Sequence, residues 1–397
     1  PAEKTLGHFF GEAGYHTGYI GKWHLSHGEP VSPEQRSGYE YWLGSNTLEF
    51  TSDAYDTVMY DGDGQAVSLP GYRVDALADA GIRYLDQHRD EPFFLMMSFI
   101  EPHHQNHRDE YAAPEGYRER YMGRWMPPDL AALGGSAAHH LGGYWGCIKR
   151  LDEAFGRVLD ALRSLGLAEN TIVLFTSDHG CHFKTRNSEY KRSCHDGCAR
   201  IPMALTGPGF RGGGQVRELI SLVDAPPTLL EAAGLPVPDS MQGRSLLPLL
   251  RGRDVEWPEE AFIQISESLV GRAIRTARWK YGVFAPDKHA GRDSYSDTYV
   301  EQFLYDMEAD PYEQRNSVGL ATLEEVSADL RARLIRRIKE AEGREAVITP
   351  APEAAEMMVS GFLCSFGALF SEHQRRRRKR RKRASKEEER WKTWPIT

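Results

Sequence analysis

The sequence predicts an α/β fold: a mostly parallel central sheet flanked by helices, followed by a small C-terminal antiparallel sheet carrying a helix. Three observations lead there. Continuous apolar runs at Pro92–Ile100 and Thr171–Thr176 lack polar alternation, the pattern of strands covered on both faces. Each run follows a segment of helical period, which makes helix-then-strand units. Beyond residue 260, short β-rich stretches succeed one another too quickly for intervening helices.

The elements follow in order. Ala2 to Ala13 reads as a helix leading into the first glycine-rich run. Val74 to His88 brings Leu77, Ile82 and Leu85 to one face, and the Pro92–Ile100 strand follows it. His140 to Leu165 reads as a long helix with Ile148, Leu151, Phe155, Val158, Leu159 and Leu162 on one side, closed by Gly166. The strand Thr171–Thr176 comes next, expected to be buried and parallel to its neighbours, and an apolar strand is expected at Pro202–Leu205. Ala261–Ser266, Ala273–Ala277, Lys280–Phe284 and Phe303–Asp306 then form the small sheet, and Leu323–Ala341 the helix packed on it. The expected domains are residues 1–255, 256–345 and a linker with a basic tail at 346–397.

Composition bounds the function. The chain has 397 residues, 40% hydrophobic and 27% charged, ordinary values for a globular protein with a sizeable core. No apolar run approaches the roughly 20 residues that cross a membrane. Five scattered cysteines suggest neither a disulfide framework nor, without a second pair beside Cys194 and Cys198, a zinc site. The net charge is −8, although Arg375–Arg383 is an unbroken basic run. That run reads first as a solvated, disordered tail able to contact polyanions nonspecifically. Without interleaved aromatic residues it indicates no specific nucleic-acid partner.

The chemistry concentrates at strand ends. Gly14-Tyr-His-Thr-Gly-Tyr-Ile-Gly-Lys22-Trp-His24 sets a lysine and a histidine two residues apart, directly after a glycine. Extended backbone at Lys22–His24 would put both polar side chains on one face and turn Trp23 into the core. The second run ends in Ser-Asp178-His179-Gly, two metal-ligand types at the carboxyl end of a strand, where open α/β sheets bind ligands. The first runs into Glu-Pro-His103-His104, with His107 further along the loop. Lys191 follows the Asp178–His179 pair closely. Two lysines, several histidines and a metal site suit an anionic tetrahedral group whose negative charge must be stabilised. Surface turns with incidental polar residues are the bland alternative for each motif taken singly.

Taken together, the motifs resemble the type I sulfatases of the alkaline-phosphatase-like superfamily, over about residues 1–345. The Gly14–His24 run is similar to that family's second signature. The strand with Pro-His103, the Ser-Asp178-His179-Gly loop and Lys191 follow in the family's order. Ser221–Gly234 and Gln242-Gly-Arg-Ser-Leu resemble its later segments. The resemblance implies sulfate-ester hydrolysis, with Asp178 and His179 as ligands of Ca²⁺ or another divalent cation. Lys22 and Lys191 would neutralise sulfate oxygens, His24 would orient the nucleophile or act as base, and His103 would contact sulfate and protonate the leaving oxygen. His182, Arg186, Asn187 and His195 lie near the pocket in sequence, and Arg186 suits a carboxylate or second sulfate. A carbohydrate sulfate is the preferred substrate class, an aryl sulfate the next, and an extracytoplasmic location is what the family favours.

One departure stands against these matches. The family's nucleophile is a formylglycine made from Cys or Ser in a Cys/Ser-x-Pro/Ala-x-Arg motif, and none of Cys147, Cys181, Cys194, Cys198 or Cys364 has that context. The chain opens on Pro1, so the expectation is an N-terminally incomplete sequence, inactive as it stands, whose formylglycine and remaining metal ligands lie upstream. A phosphoester or phosphonoester hydrolase of the same superfamily, and a non-catalytic binding protein on a sulfatase scaffold, remain the competing readings.

Overall fold

The computed structural model describes residues 3–105, 107–210 and 212–351. The basic run and most of the expected linker lie outside them. The chain divides into two units, residues 1–263 with 312–314, and residues 264–311 with those from 315 onward.

The first unit is built on β1 (His16–Lys22), β2 (Tyr41–Ser45), β3 (Thr57–Tyr60), β4 (Ala66–Leu69) and β5 (Phe93–Ser98), in the order β4-β3-β2-β1-β5. β1 is central and parallel to both β2 and β5, whereas β2–β3 and β3–β4 are antiparallel. Alternation along β1 explains its burial on both sides. Ile20 packs with Leu43, Leu77, Ala80 and Tyr84 under the Arg73–Gln87 helix. Tyr19 points the other way, into a cluster with Trp23, Val31, Tyr39 and Trp42. That helix packs in turn on the Ala137–Ser164 helix, where Val74, Ala78 and Leu85 meet Ala154, Val158 and Leu162. Both helices lie where the sequence periodicity puts them. The second begins three residues earlier than expected, and Ile148 faces solvent.

The strand ending in Asp178-His179 departs from expectation. β6 (Val173–Thr176) pairs antiparallel with β7 (Met203–Thr206) as a two-stranded sheet, and its residues are half-buried. An apolar run specifies burial, not direction, and here the long excursion from 177 to 202 brings the chain back alongside itself. Among the described strands, β5 and β6 each pair on one side only. Both lean on the same helical layer, Leu95 and Met97 from one and Val173 from the other.

The second unit's sheet runs β12-β11-β10-β9-β8. It comprises β8 (Glu260–Ile265), β9 (Gly271–Thr276), β10 (Trp279–Phe284), β11 (Thr298–Asp306) and β12 (Val347–Thr349). β9, β10 and β11 are antiparallel, as expected for the small sheet. β12 lies parallel to β11 within what the sequence reads as linker, so ordered structure continues past residue 345. The Glu324–Glu342 helix buries Leu330, Leu334 and Ile338 at four-residue spacing, and its Glu342 carboxylate pairs with the fully buried Arg272.

Gly21 is the tightest point of the first sheet. Its φ is +122°, and a Cβ there would lie 2.0 Å from the Ser98 carbonyl oxygen of β5. Only glycine lets β1 and β5 meet at the end that carries Lys22. Gly21→Ala should cost about 1–3 kcal/mol, read as a lower urea midpoint at unchanged m-value. An unaltered midpoint would mean that the two strands can part without penalty.

Candidate active site

Lys22 ends β1, and its Nζ donates a 2.8 Å hydrogen bond to Glu49 Oε1. Trp23 is buried, as expected, but the backbone does not stay extended. His24 has a φ of +60°, and this left-handed turn swings its Nδ1 to 3.7 Å from the same Glu49 oxygen. Lys22 and His24 therefore meet at a shared carboxylate instead of lying along one strand face. Glu49 sits in the four-residue Leu48–Thr51 helix with its side chain only 3% exposed. The segment is held from two sides. Glu29 accepts hydrogen bonds from Ser45 Oγ (2.6 Å) and the Thr47 amide (3.0 Å). Gln105 Nε2 donates to the carbonyls of Glu49 and Ser52. Burial alone would raise the Glu49 pKa, but the hydrogen bond and charge of Lys22 outweigh it and hold the carboxyl below its ordinary value.

The loop after β5 supplies His103. Its base is fixed by a buried ion pair, Arg73 to Glu101 Oε1 at 2.7 Å, which ties it to the first turn of the Arg73–Gln87 helix. His103 Nδ1 lies 2.8 Å from the His104 carbonyl oxygen, so Nδ1 carries the proton and Nε2 is the acceptor. The Tyr190 hydroxyl donates to that Nε2 at 2.8 Å, and Lys191 Nζ lies 3.5 Å away. Burial, then the charges of Lys22 and Lys191, pull the His103 pKa down to about 3.

After β6, His179 is arranged in the same way. Its Nδ1 donates to the Gly180 carbonyl at 2.9 Å, which leaves an Nε2 lone pair facing outward. That atom is 3.3 Å from Asp178 Oδ2 and accepts from Lys191 Nζ at 3.2 Å. A histidine whose other nitrogen is committed to a backbone carbonyl has the usual form of a metal ligand. The His179 and Lys191 pKa values are both lowered, first by burial. For Lys191 the next cause is the positive charge of Lys22, and for His179 the cations oppose a raising effect of Asp178. Three separate chain segments thus bring Lys22, His103, Asp178, His179 and Lys191 to one half-buried site, with His24 at its rim beside Glu49.

The proposed substrate residues are placed differently. His182 is buried, and its Nε2 donates to the Lys191 carbonyl at 3.0 Å. Asn187 Nδ2 donates to the same carbonyl and to that of Arg192. Both brace the loop that presents Tyr190 and Lys191, whose half-buried backbone carbonyls need partners. His195 is buried at the start of the Asp196–Ala199 turn of helix. Arg186 donates from its guanidinium to the carbonyls of Tyr312 and Glu313. Sequence reasoning missed Glu49 and Tyr190 as members of the site. Tyr190, adjacent to Lys191, had a local signal; Glu49 had none.

The fold and the site define an α/β protein that gathers cationic side chains and a candidate metal pair at strand ends. A family model described as Sulfatase matches residues 1–235. A second, N-sulphoglucosamine sulphohydrolase, C-terminal, matches residues 189–340. The chain belongs to the sulfatase family. It is 29% identical over 358 residues to the ulvan-active sulfatase of Formosa agariphila, covering 85% of this chain and 66% of that protein. It is 24% identical to the N-acetylglucosamine-6-O-sulfatase of Bacteroides thetaiotaomicron over 80% of this chain and 69% of that one. The solved structure of yidJ from Bacteroides fragilis superposes with a TM-score of 0.73 at 23% identity, over 85% of this chain and 77% of that chain. The chain spans about two-thirds of the ulvan-active sulfatase's length.

Half-buried His103 and buried His182 should make the fold acid-sensitive. Burial first lowers His103 to about 3 and His182 to about 4, from 6.5. Below pH 6.5 the unfolded chain takes up protons at these rings while the folded chain does not. Their contribution is therefore complete above that pH and is lost as pH falls through about 6.5 to 3. Urea midpoints should drop steadily from pH 7.5 to 4.5, and His182→Asn should flatten the slope. A flat profile in the parent chain would contradict neutral burial.

Proposed function

We propose that this chain carries the anion- and metal-binding part of a sulfatase that hydrolyses sulfate esters of carbohydrates. The observation that carries the reading is that Lys22 and Lys191, from separate segments, converge with neutral His103 and His179, Glu49 being paired to Lys22 and the exposed Asp178 carboxylate lying beside His179. Burial first, and then the positive charge of Lys22, lowers the Lys191 pKa, and a sulfate group would relieve the second of these. A relative whose name specifies a 6-O-sulfated amino sugar supports the carbohydrate class.

The family implies a divalent cation, and the donors fit one. The Asp178 carboxylate and the outward Nε2 lone pair of His179 lie 3.3 Å apart, a spacing two ligands of one ion can share. Asp178 and His179 would hold it, with Ca²⁺ the expected ion and the nitrogen donor admitting others. When bound it supplies Lewis-acid polarisation of a sulfate oxygen. The remaining work falls to side chains of this chain. Lys22 and Lys191 bind and orient the sulfate oxygens and offset charge that builds up on them. Burial first and then the charges of Lys22 and Lys191 keep His103 neutral; an anion between the lysines offsets the second cause, so the His103 pKa rises and Nε2 can take a proton from solvent to give to the leaving oxygen. Tyr190 keeps that ring in place, and His24, turned outward beside Glu49, is positioned as a base. No Cys or Ser here lies in a formylglycine motif. Turnover accordingly depends on a nucleophile beyond these residues, and the direct test of this site is binding.

Isothermal titration with 6-O-sulfated glucosamine should show binding that the desulfated sugar lacks. Lys191→Ala should weaken it about 10- to 100-fold, since hydrogen bonds to charged groups are worth about 1.5–3 kcal/mol, while the urea midpoint holds or rises. Lys22→Ala should weaken binding similarly but also strand the buried Glu49 carboxylate, at a cost of about 3–5 kcal/mol in stability. Equal binding of sulfated and desulfated sugar, or no effect of Lys191→Ala, would overturn the reading. In an enzyme supplied with its nucleophile, Lys191→Ala should lower kcat by about 10²–10³. Near-normal turnover at saturating substrate would reduce Lys191 to scaffolding.

A further inference from the structure

Next to His103 in the chain, His104 belongs to a second group of ligand-type side chains. His104 Nε2 lies 3.1 Å from Asp109 Oδ1, and His140 Nε2 lies 3.6 Å from the same oxygen. The three ligand atoms all fall within 4.8 Å of one another. Both imidazoles are buried, with rings nearly perpendicular at 81°, while the Asp109 side chain is 65% exposed. Two separate elements contribute, the loop after β5 and the first turn of the Ala137–Ser164 helix. Asp109 takes a left-handed φ of +49°, the turn that aims its carboxylate back at the two rings.

We propose that His104, Asp109 and His140 bind a divalent transition-metal ion of the zinc class, at a site distinct from Asp178–His179. Tetrahedral ligands at about 2.0–2.1 Å from such an ion stand roughly 3.3 Å apart, and the two nitrogen-to-oxygen spacings bracket that value. Two imidazoles and one carboxylate suit zinc and its neighbours, whereas calcium prefers an all-oxygen set. The exposed side of Asp109 gives the ion an entry path and leaves a fourth position for water. Lys184 Nζ lies 3.7 Å from Asp109 Oδ1, and a bound cation would displace this ammonium. The site would be structural for the reacting groups. The His104 carbonyl accepts the proton-bearing Nδ1 of His103, and the Tyr190 ring packs on His104 while its hydroxyl holds His103 Nε2. An ion fixing His104 would fix the orientation of His103.

The test titrates the chelator-treated 397-residue chain with Co²⁺, followed by visible absorption, and then with Zn²⁺ in competition. One equivalent of Co²⁺ should give the intense bands of a tetrahedral site and be displaced by Zn²⁺. Asp109→Asn and His140→Ala should each weaken binding by at least about 10-fold, whereas Asp178→Ala with His179→Ala should leave the bands intact. Lys184→Ala discriminates best. It removes a competing cation and should tighten binding, whereas a purely salt-linked network would only lose stability. If His140→Ala does not fold, the variants at Asp109 and Lys184, both nearer solvent, decide the matter. Absence of binding at micromolar Co²⁺, bands lost only in the Asp178/His179 variant, or indifference to Asp109→Asn would each overturn the proposal.

Discussion

The contact between Lys22 and Glu49 governs the site. A carboxylate buried to 3% exposure is tolerable only with a cation in hydrogen-bond contact. That requirement fixes the end of β1 against the short Leu48–Thr51 helix, and through Glu49 it also sets where His24 lies. The helix in turn depends on Gln105, which comes from the loop that carries His103. One ion pair thus places side chains from three stretches of chain, and the geometry around it is over-determined. Gly21 extends the same constraint into the sheet, since β1 must approach β5 closely at the residue just before Lys22.

Local neutrality at Glu49 does not extend across the pocket. Lys191 brings a second ammonium against His103 and His179, and Asp178 is too exposed to compensate a buried charge fully. The structure responds as electrostatics requires. Both imidazoles stay neutral, each donating Nδ1–H to a backbone carbonyl and leaving an Nε2 lone pair toward Lys191, and the pKa of Lys191 falls. Such a site favours added negative charge, in keeping with the anion- and metal-binding role proposed for it. Burial makes this arrangement effective, because the same charges set in water would be screened.

Much of this was legible in the sequence, for identifiable reasons. The helices at 73–87 and 137–164 and the strands at 93–98 and 173–176 announce themselves by periodicity and apolar runs. Lys22, His103, Asp178, His179 and Lys191 announce themselves as polar residues at the ends of such runs. What stayed hidden was relational. Glu49 lies 27 residues beyond Lys22 in a stretch without pattern, and only the fold brings them together. The extended reading of Lys22–His24 failed because one left-handed residue cannot be inferred from side-chain type. The direction of β6 was equally invisible, since an apolar run looks the same in parallel and antiparallel pairs. Its half-burial follows from an edge that no described strand covers.

Arg186, His182 and Asn187 show how proximity in sequence misleads around an active site. Backbone carbonyls in a loop must find donors, and the polar side chains nearest in sequence are the readiest supply. His182 and Asn187 both spend themselves on the carbonyl of Lys191, and Arg186 on those of Tyr312 and Glu313. The ammonium of Lys191 is therefore free to face the pocket because its backbone is held from behind. All three side chains are thus engaged with backbone carbonyls. Asp178 and His24 are the most exposed of the residues gathered at the site.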